Sequence, residues 1–269
     1  MAIRYDRVAD HIITITIDRR EARNALDGHG FRDLAAAWRR FRDDDGDWVA
    51  IVTGVGRHFM AGADLKTYIP QVTALRRRAA AGADDEIDGC RLSDGTDAVL
   101  RTLTVYKPII AAVNGPCVAG GMELLGGVDI RIATEHATFG AMEPKRGLFA
   151  GGGSTVRLPR QIGFPAAMEF LLTAEALPAS RALELGLLNE LVAEEDLRDR
   201  ALEWARRITA NAPLAIRATK ESVLRGLGLD LAEANDVETE LSHRIFATED
   251  ADEGPRAFAE KRPPVWRGR

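Results

Sequence analysis

The sequence predicts an α/β fold that gives way to an all-helical C-terminal region near residue 200, so that residues 1–199 form a mixed strand-and-helix core and residues 200–269 a helical region. Three observations carry this. Up to about residue 190, short apolar strand-like runs alternate with helix-period segments. From Glu194 onward almost every segment has a helical period. Between them, residues 108–153 are apolar and glycine-rich, interrupted by two glutamates, Glu123 and Glu143.

Taken in order, Ile3–Val8 and His11–Asp18 read as a hairpin with Asp10 in the turn, the second strand alternating Ile13, Ile15 and Ile17 with Thr14 and Thr16. Phe31, Leu34, Ala35, Trp38 and Phe41 have the spacing of an amphipathic helix. The acidic run from Asp43 to Asp47 reads as a solvated turn, since no EF-hand spacing follows. Trp48–Thr53 is a compact strand that runs into a glycine-bearing loop, Gly54 to Lys66. In residues 67–97 the sequence around Arg76–Gly82 is helical, whereas Asp84–Glu86 and Ser93–Gly95 read as loop, the pattern of a lid beside a cleft. Ala98–Tyr106 reads as a helix stopped by Lys107-Pro108, with strands at Ile109–Val113 and Val128–Ala133. Pro165–Thr173 and Pro178–Leu185 are helices with proline near the start, and Gly186 stops the second. Four helices follow, at Leu197–Thr209, Pro213–Leu227, Leu231–Phe246 and Asp250–Glu260.

Composition narrows the function. The 269 residues are 46% hydrophobic and 29% charged, enough for a sizeable core. A net charge of -5 supplies no basic field, which argues against nucleic acid as a partner. Cys90 and Cys117 read as free thiols of a reducing compartment. There is no secretory signal pattern at the N-terminus, and the apolar stretch from Ile109 to Met122 is shorter than the roughly 18 residues of a membrane span. A soluble cytoplasmic protein is the expectation. The five histidines have no metal-binding spacing, so no metal is expected. Gly-x-Ser-x-Gly, the P-loop pattern and a strand-linked Gly-x-Gly-x-x-Gly are all absent.

Two carboxylates in weakly polar surroundings remain. Each could be paired with an arginine for structural reasons, or the two could divide into an acid and a base for proton transfer. The residues alone leave both readings open. Two glycine-bearing loops, each leading to a helix start with unpaired N–H groups, could make an oxyanion hole, where one donor is worth about 3–4 kcal/mol of transition-state stabilisation. Gly151-Gly152-Gly153 reads as a helix N-terminal turn or a weak phosphate cradle.

Six motifs in order resemble the crotonase, or enoyl-CoA hydratase, superfamily: Arg23-Asn24-Ala25-Leu26, Phe59 to Lys66, Ala112-Val113-Asn114-Gly115, Gly120-Gly121-Met122-Glu123, Phe139 to Glu143, and Ala257 to Arg262. The resemblance implies a spiral of strand-strand-helix turns, followed by a helical region that mediates trimerisation, as a homotrimer or a dimer of trimers. It implies an acyl-CoA substrate and no separate cofactor, coenzyme A being part of the substrate. By motif position the oxyanion donors fall on the N–H groups of Ala63 and Gly120, and the catalytic acids on Glu123 and Glu143. Coenzyme A would be met by Ala25, Ala61, Asp64 and Lys66, with Phe258 and Lys261 reaching it from a neighbouring subunit. Both acids being present favours syn hydration of a 2-enoyl-CoA, or the reverse dehydration, with glutamate 123 accepting the water's proton and glutamate 143 supplying one to C2. An isomerase or specialised dehydratase of the same fold is the alternative, and RNA binding the non-enzymatic one. Three departures from the family pattern stand out: Ala119 in place of a frequent glycine, Pro144 directly after the second acid, and Ala150 in place of a frequent proline.

Overall fold

A computed structural model describes residues 2–269. The chain opens with an antiparallel hairpin, β1 (Ile3–Ala9) and β2 (Ile12–Ile17), followed by α1 (Gly28–Asp43) and β3 (Val49–Gly54). Helix α2 (Tyr68–Ala80), a small hairpin β4 (Glu86–Ile87) and β5 (Cys90–Arg91), and α3 (Leu92–Ala98) lead to β6 (Ile109–Val113). Then come β7 (Cys117–Val118), α4 (Gly120–Leu125), β8 (Ile130–Thr134) and β9 (Thr138–Gly140). After a 3-10 turn at Glu143–Arg146 the chain forms α5 (Ser154–Gln161), α6 (Phe164–Thr173), β10 (Leu177–Pro178), α7 (Ala179–Glu184) and β11 (Glu190–Val192). The last four helices are α8 (Leu197–Thr209), α9 (Pro213–Gly226), α10 (Leu231–Phe246) and α11 (Glu249–Ala259).

Six strands pair in the order β1-β2-β3-β6-β8-β11, parallel after the opening hairpin. Both faces of this long sheet are covered, which is why its strands read as nearly continuous apolar runs. One face, with Ile13, Ile15, Ala50, Val52 and Ala111, meets α1 and the shorter strands; the other, with Ile12, Val49, Ile51, Ile110 and Ile132, meets Leu197, Ala201 and Ala205 of α8. A second sheet runs β10-β9-β7 and is extended by single-residue parallel bridges, Met60 to Cys117 and Leu26 to Ala63. Strands of the long sheet are thus followed by a short strand or bridge of the second sheet and then by helix. This is the strand-strand-helix repeat that the resemblance implied.

Three local expectations fail. Ala98–Tyr106 is irregular, and the helix lies earlier, at Leu92–Ala98, so it contains Ser93-Asp94-Gly95, expected as loop. Leu100 adopts a left-handed conformation (φ 56), and the Val99 and Leu100 carbonyls accept from the Arg157 guanidinium instead of from helical N–H groups. Val99, Leu100, Leu103 and Val105 are buried, so their apolar spacing imitates a helix. The acidic turn is not wholly solvated either. Asp47 is fully buried, accepts from the Tyr5 hydroxyl at 2.5 Å and pairs with Arg7, tying the hairpin to the end of α1. Cys90 and Cys117 are both buried, and both are free thiols as the sequence suggests.

Candidate active site

Two loops meet beside the second sheet. Leu26 donates to the Gly62 carbonyl at 2.8 Å and accepts from the Asp64 N–H at 2.8 Å, so Ala63 sits centrally in that bridge. Val118 donates to the Met60 carbonyl at 3.0 Å, which fastens the same loop to the start of α4. The contact leaves no room for side chains: a Cβ on Gly62 would lie 2.8 Å from the Gly120 nitrogen, and one on Gly121 would lie 2.5 Å from the Met60 carbonyl oxygen. Gly62 also has φ +89, where L side chains are strained. Among the described residues the N–H groups of Ala63 and Gly120 donate to nothing in the chain, Gly120 because it is the first residue of α4.

The loop's shape is set by two asparagines of the quoted motifs. Asn24, fully buried, donates to the carbonyls of Val55 and His58 and accepts from the Arg19 N–H. Asn114 donates to Gly56 and accepts from Gly54. At Gly115 a Cβ would strike the Arg57 carbonyl at 2.1 Å. Burial and the nearby charges of Arg23 and Arg57 push the His58 imidazole below its usual pKa.

Glu123 lies one turn into α4, and its Oε1 accepts from the Gly152 N–H. Burial raises its pKa; the Gly152 N–H and the charges of Arg101 and Arg157 oppose that rise. Arg157 of α5 also donates to the Glu123 carbonyl at 3.0 Å. Glu143 starts the 3-10 turn after β9, with Pro144 immediately behind it. Its Oε2 is buried without a hydrogen-bond partner among the described residues. Burial first, with the field of Glu123 adding to it, pushes Glu143 up to about 7, while its own backbone N–H opposes the rise. Among the described residues neither glutamate is in an ion pair, so the arginine-pairing reading finds no support in side-chain contacts. Burial and mutual repulsion are the conditions under which two carboxyls hold different protonation states near neutral pH.

Ala25, Ala61, Asp64 and Lys66 gather around the Leu26–Ala63 bridge. The Ala25 carbonyl accepts from Arg19 at 2.7 Å, and Asp64 accepts from the Lys66 N–H at 3.0 Å while its other oxygen lies 3.8 Å from Arg19. Lys66 is exposed. Phe258 and Lys261 stand on and just after α11, which packs on α10, and both are exposed; no hydrogen bond joins them to this cluster. Sequence reasoning missed Arg19, Arg157 and Gly152. The glycine run before Ser154 was the available signal for Gly152; nothing local marked the two arginines. Among the described residues no three His, Cys, Asp or Glu side chains converge to hold a metal ion, and no helix is long and apolar enough to cross a membrane.

Known proteins resemble this chain over nearly its whole length. An enoyl-CoA hydratase of Mycobacterium tuberculosis is 40% identical over 259 residues, 96% of this chain and 94% of the relative. The (E)-benzylidenesuccinyl-CoA hydratase of Thauera aromatica is 36% identical over 97% of both chains, and the carnitinyl-CoA dehydratase of Proteus mirabilis 36% identical over 96% and 95%. Among solved structures, an enoyl-CoA hydratase of Bacillus anthracis superposes with a TM-score of 0.90 at 31% identity, covering 100% of both chains. One from Mycobacterium tuberculosis gives 0.85 at 38%, covering 100% of this chain and 99% of that one. Residues 7–269 match the family described as enoyl-CoA hydratase/isomerase, and with the paired glutamates, the two unpaired N–H groups and the spiral core in place, the chain belongs to that family.

Proposed function

We propose that the protein is an enoyl-CoA hydratase that adds water across the C2–C3 double bond of a 2-enoyl-CoA, or removes it, with no cofactor beyond the coenzyme A of its substrate. The observation that carries this is the pair of enclosed carboxylates beside two unpaired N–H groups. In hydration, the thioester oxygen accepts from the N–H groups of Ala63 and Gly120. A water held between the glutamates gives its proton to Glu123 as its oxygen bonds to C3. The electron pair of the double bond moves toward the thioester, and the resulting enolate takes a proton at C2 from Glu143. The surroundings support this division: burial raises both acids, but Gly152, Arg101 and Arg157 counter the rise at Glu123, whereas Glu143, pushed up to about 7, keeps a proton to give.

Coenzyme A in this reading lies along Ala25, Ala61 and Asp64, with Lys66 near its phosphates. Phe258 and Lys261 approach it from a second subunit. Support for a trimer, or a dimer of trimers, comes from the apolar side chains left in solvent on the C-terminal helices: Leu231 is 78% exposed, Phe246 81% and Phe258 86%. A cytoplasmic, β-oxidation-type role is the corresponding expectation. The test is direct: crotonyl-CoA or a longer 2-enoyl-CoA loses its conjugated absorbance on addition of the protein. No loss across a panel of chain lengths would overturn the reading. Sedimentation of the protein at three or six times 29.3 kDa checks the assembly.

A further inference from the structure

Helix α5 and the turn before it hold the catalytic helix α4 at three points. Arg157 and Gln161, four residues apart, share one face of α5. Gln161 donates to the Gly126 carbonyl at the end of α4 at 2.9 Å, and Arg157 donates to the Glu123 carbonyl at 3.0 Å. Two residues before α5, the Gly152 N–H donates to the Glu123 carboxylate. Glu123 is thus held from one element by its main chain and by its side chain.

The Glu123 carbonyl has no helical donor of its own. In a longer helix it would accept from the N–H of residue 127, but α4 ends at Leu125 and the Gly127 N–H turns to the Leu124 carbonyl at 2.9 Å. The Arg157 guanidinium serves instead, and it also donates to the carbonyls of Val99, at 3.1 Å, and of Leu100. Its fit is close: a Cβ on Gly126 would lie 3.2 Å from its Cδ, one on Gly127 3.0 Å from Nη1, and one on Gly153 3.4 Å from Nε. The other end of α4 is fastened separately, by the Ala119 N–H on the Gly140 carbonyl and the Val118 N–H on the Met60 carbonyl. Arg157 therefore bears on Glu123, whereas the Gly120 donor is set by the oxyanion loop.

We infer that Arg157, assisted by Gln161, is a positioning residue for hydration: it sets the main chain of Glu123 so that the carboxylate meets the Gly152 N–H and the reacting water in one orientation. This rests on the hydratase reading and adds to it a residue that acts through Glu123. Misplacing a reacting group by about 1 Å costs up to about a hundredfold in rate. A guanidinium presents its N–H donors in a fixed plane, which suits three carbonyls from two chain segments better than the single ammonium of lysine.

The experiment is a double-variant cycle on one 2-enoyl-CoA, with amide hydrogen exchange alongside. Arg157→Gln is expected to lower kcat by about tenfold or more while KM changes less than about threefold, and Arg157→Lys to keep part of the lost rate. In the Glu123→Gln background, Arg157→Gln should change the residual kcat by less than about threefold, because the carboxylate it positions is already gone. An arginine that only supports the fold would lower the rate equally in both backgrounds; that result, or native kcat in Arg157→Gln, overturns the inference. Should Arg157→Gln not fold, Gln161→Leu, at an exposed position, is read by the same cycle, with a smaller loss expected in the native background only. Exchange gives a readout independent of turnover: amides of residues 123–128 exchange faster in Arg157→Gln, and those of the Met60–Asp64 loop do not. Unchanged exchange at 123–128 also overturns the inference. A native chain that hydrates no 2-enoyl-CoA overturns the hydratase reading and the inference with it, and shows this before any variant is compared.

Discussion

The N–H of Gly152 donates to Oε1 of Glu123, and a Cβ built on Gly152 would lie 2.2 Å from Oε2 of the same carboxylate. The glycine is therefore both the donor that orients the acid and the space the acid occupies. Its neighbour Gly153 has φ +121, but Gly152 needs no left-handed backbone, so a methyl group there first meets the Glu123 carboxylate. Gly152→Ala is expected to lower kcat about a hundredfold or more while the thermal midpoint changes little. A variant of native activity would detach Gly152 from the site.

Glu123→Gln and Glu143→Gln should each slow hydration by at least about a hundredfold, the lower range for general acid–base catalysis. In the proposed scheme both glutamates handle one water, so their losses should not multiply. The double variant is expected to fall far short of the product of the two single effects, as for groups that act as a unit. Steady-state rates on one enoyl-CoA decide this, and a full product of effects would mean that the two act in separate steps.

The pH profile of kcat/KM follows from Glu143. With this carboxyl pushed up to about 7, the proton needed at C2 is present below neutrality and lost above it. Hydration should therefore decline as pH rises through about 7, and this alkaline limb should vanish from the residual activity of Glu143→Gln. A limb that persists in that variant belongs to another group.

The same shift costs the fold stability at high pH. A carboxyl whose folded pKa lies above its unfolded value contributes stability that is fully present below the unfolded pKa and lost as pH rises through the folded one. For Glu143 the window runs from about 4.5 to about 7, worth at most about 3 kcal/mol. Burial raises Glu123 as well, with the same sign. Glu143→Gln should accordingly gain thermal stability relative to the native chain at pH 8 and show little gain at pH 4.5, by calorimetry at the two pH values.

Where the sequence was legible, the determinants were local. Helices α8 and α10 run Leu197–Thr209 and Leu231–Phe246, as the helical period predicts, and Asp230 with Glu233 forms a reciprocal cap at the second. Glu123 and Glu143 stood out because carboxylates interrupt apolar, glycine-rich segments. The spiral was not readable from periodicity, since the Leu26–Ala63 and Met60–Cys117 bridges join single residues far apart in the chain; it came from family resemblance. Gly152 was passed over because its reason for being glycine lies 29 residues earlier, at Glu123. Ala98–Tyr106 misled because buried irregular chain can carry helix-like apolar spacing.

Ala119 links stability to the oxyanion loop. It precedes α4 with φ 50 and ψ -118, backbone angles that only glycine adopts without strain, and its N–H donates to the Gly140 carbonyl at 2.7 Å. Its Cβ also lies 2.8 Å from where a Cβ on Gly62 would stand, so alanine is tolerated only because residue 62 is glycine. Strain of this kind costs of order 1–3 kcal/mol, and the greater freedom of glycine in the unfolded chain offsets about 0.4–1 kcal/mol of any relief. Ala119→Gly is thus expected to stabilise the fold by about 1 kcal/mol in denaturant titration. A destabilised variant would mean that packing of the Ala119 methyl against the Gly62 loop outweighs the strain, and that the methyl helps hold the Gly120 N–H in place.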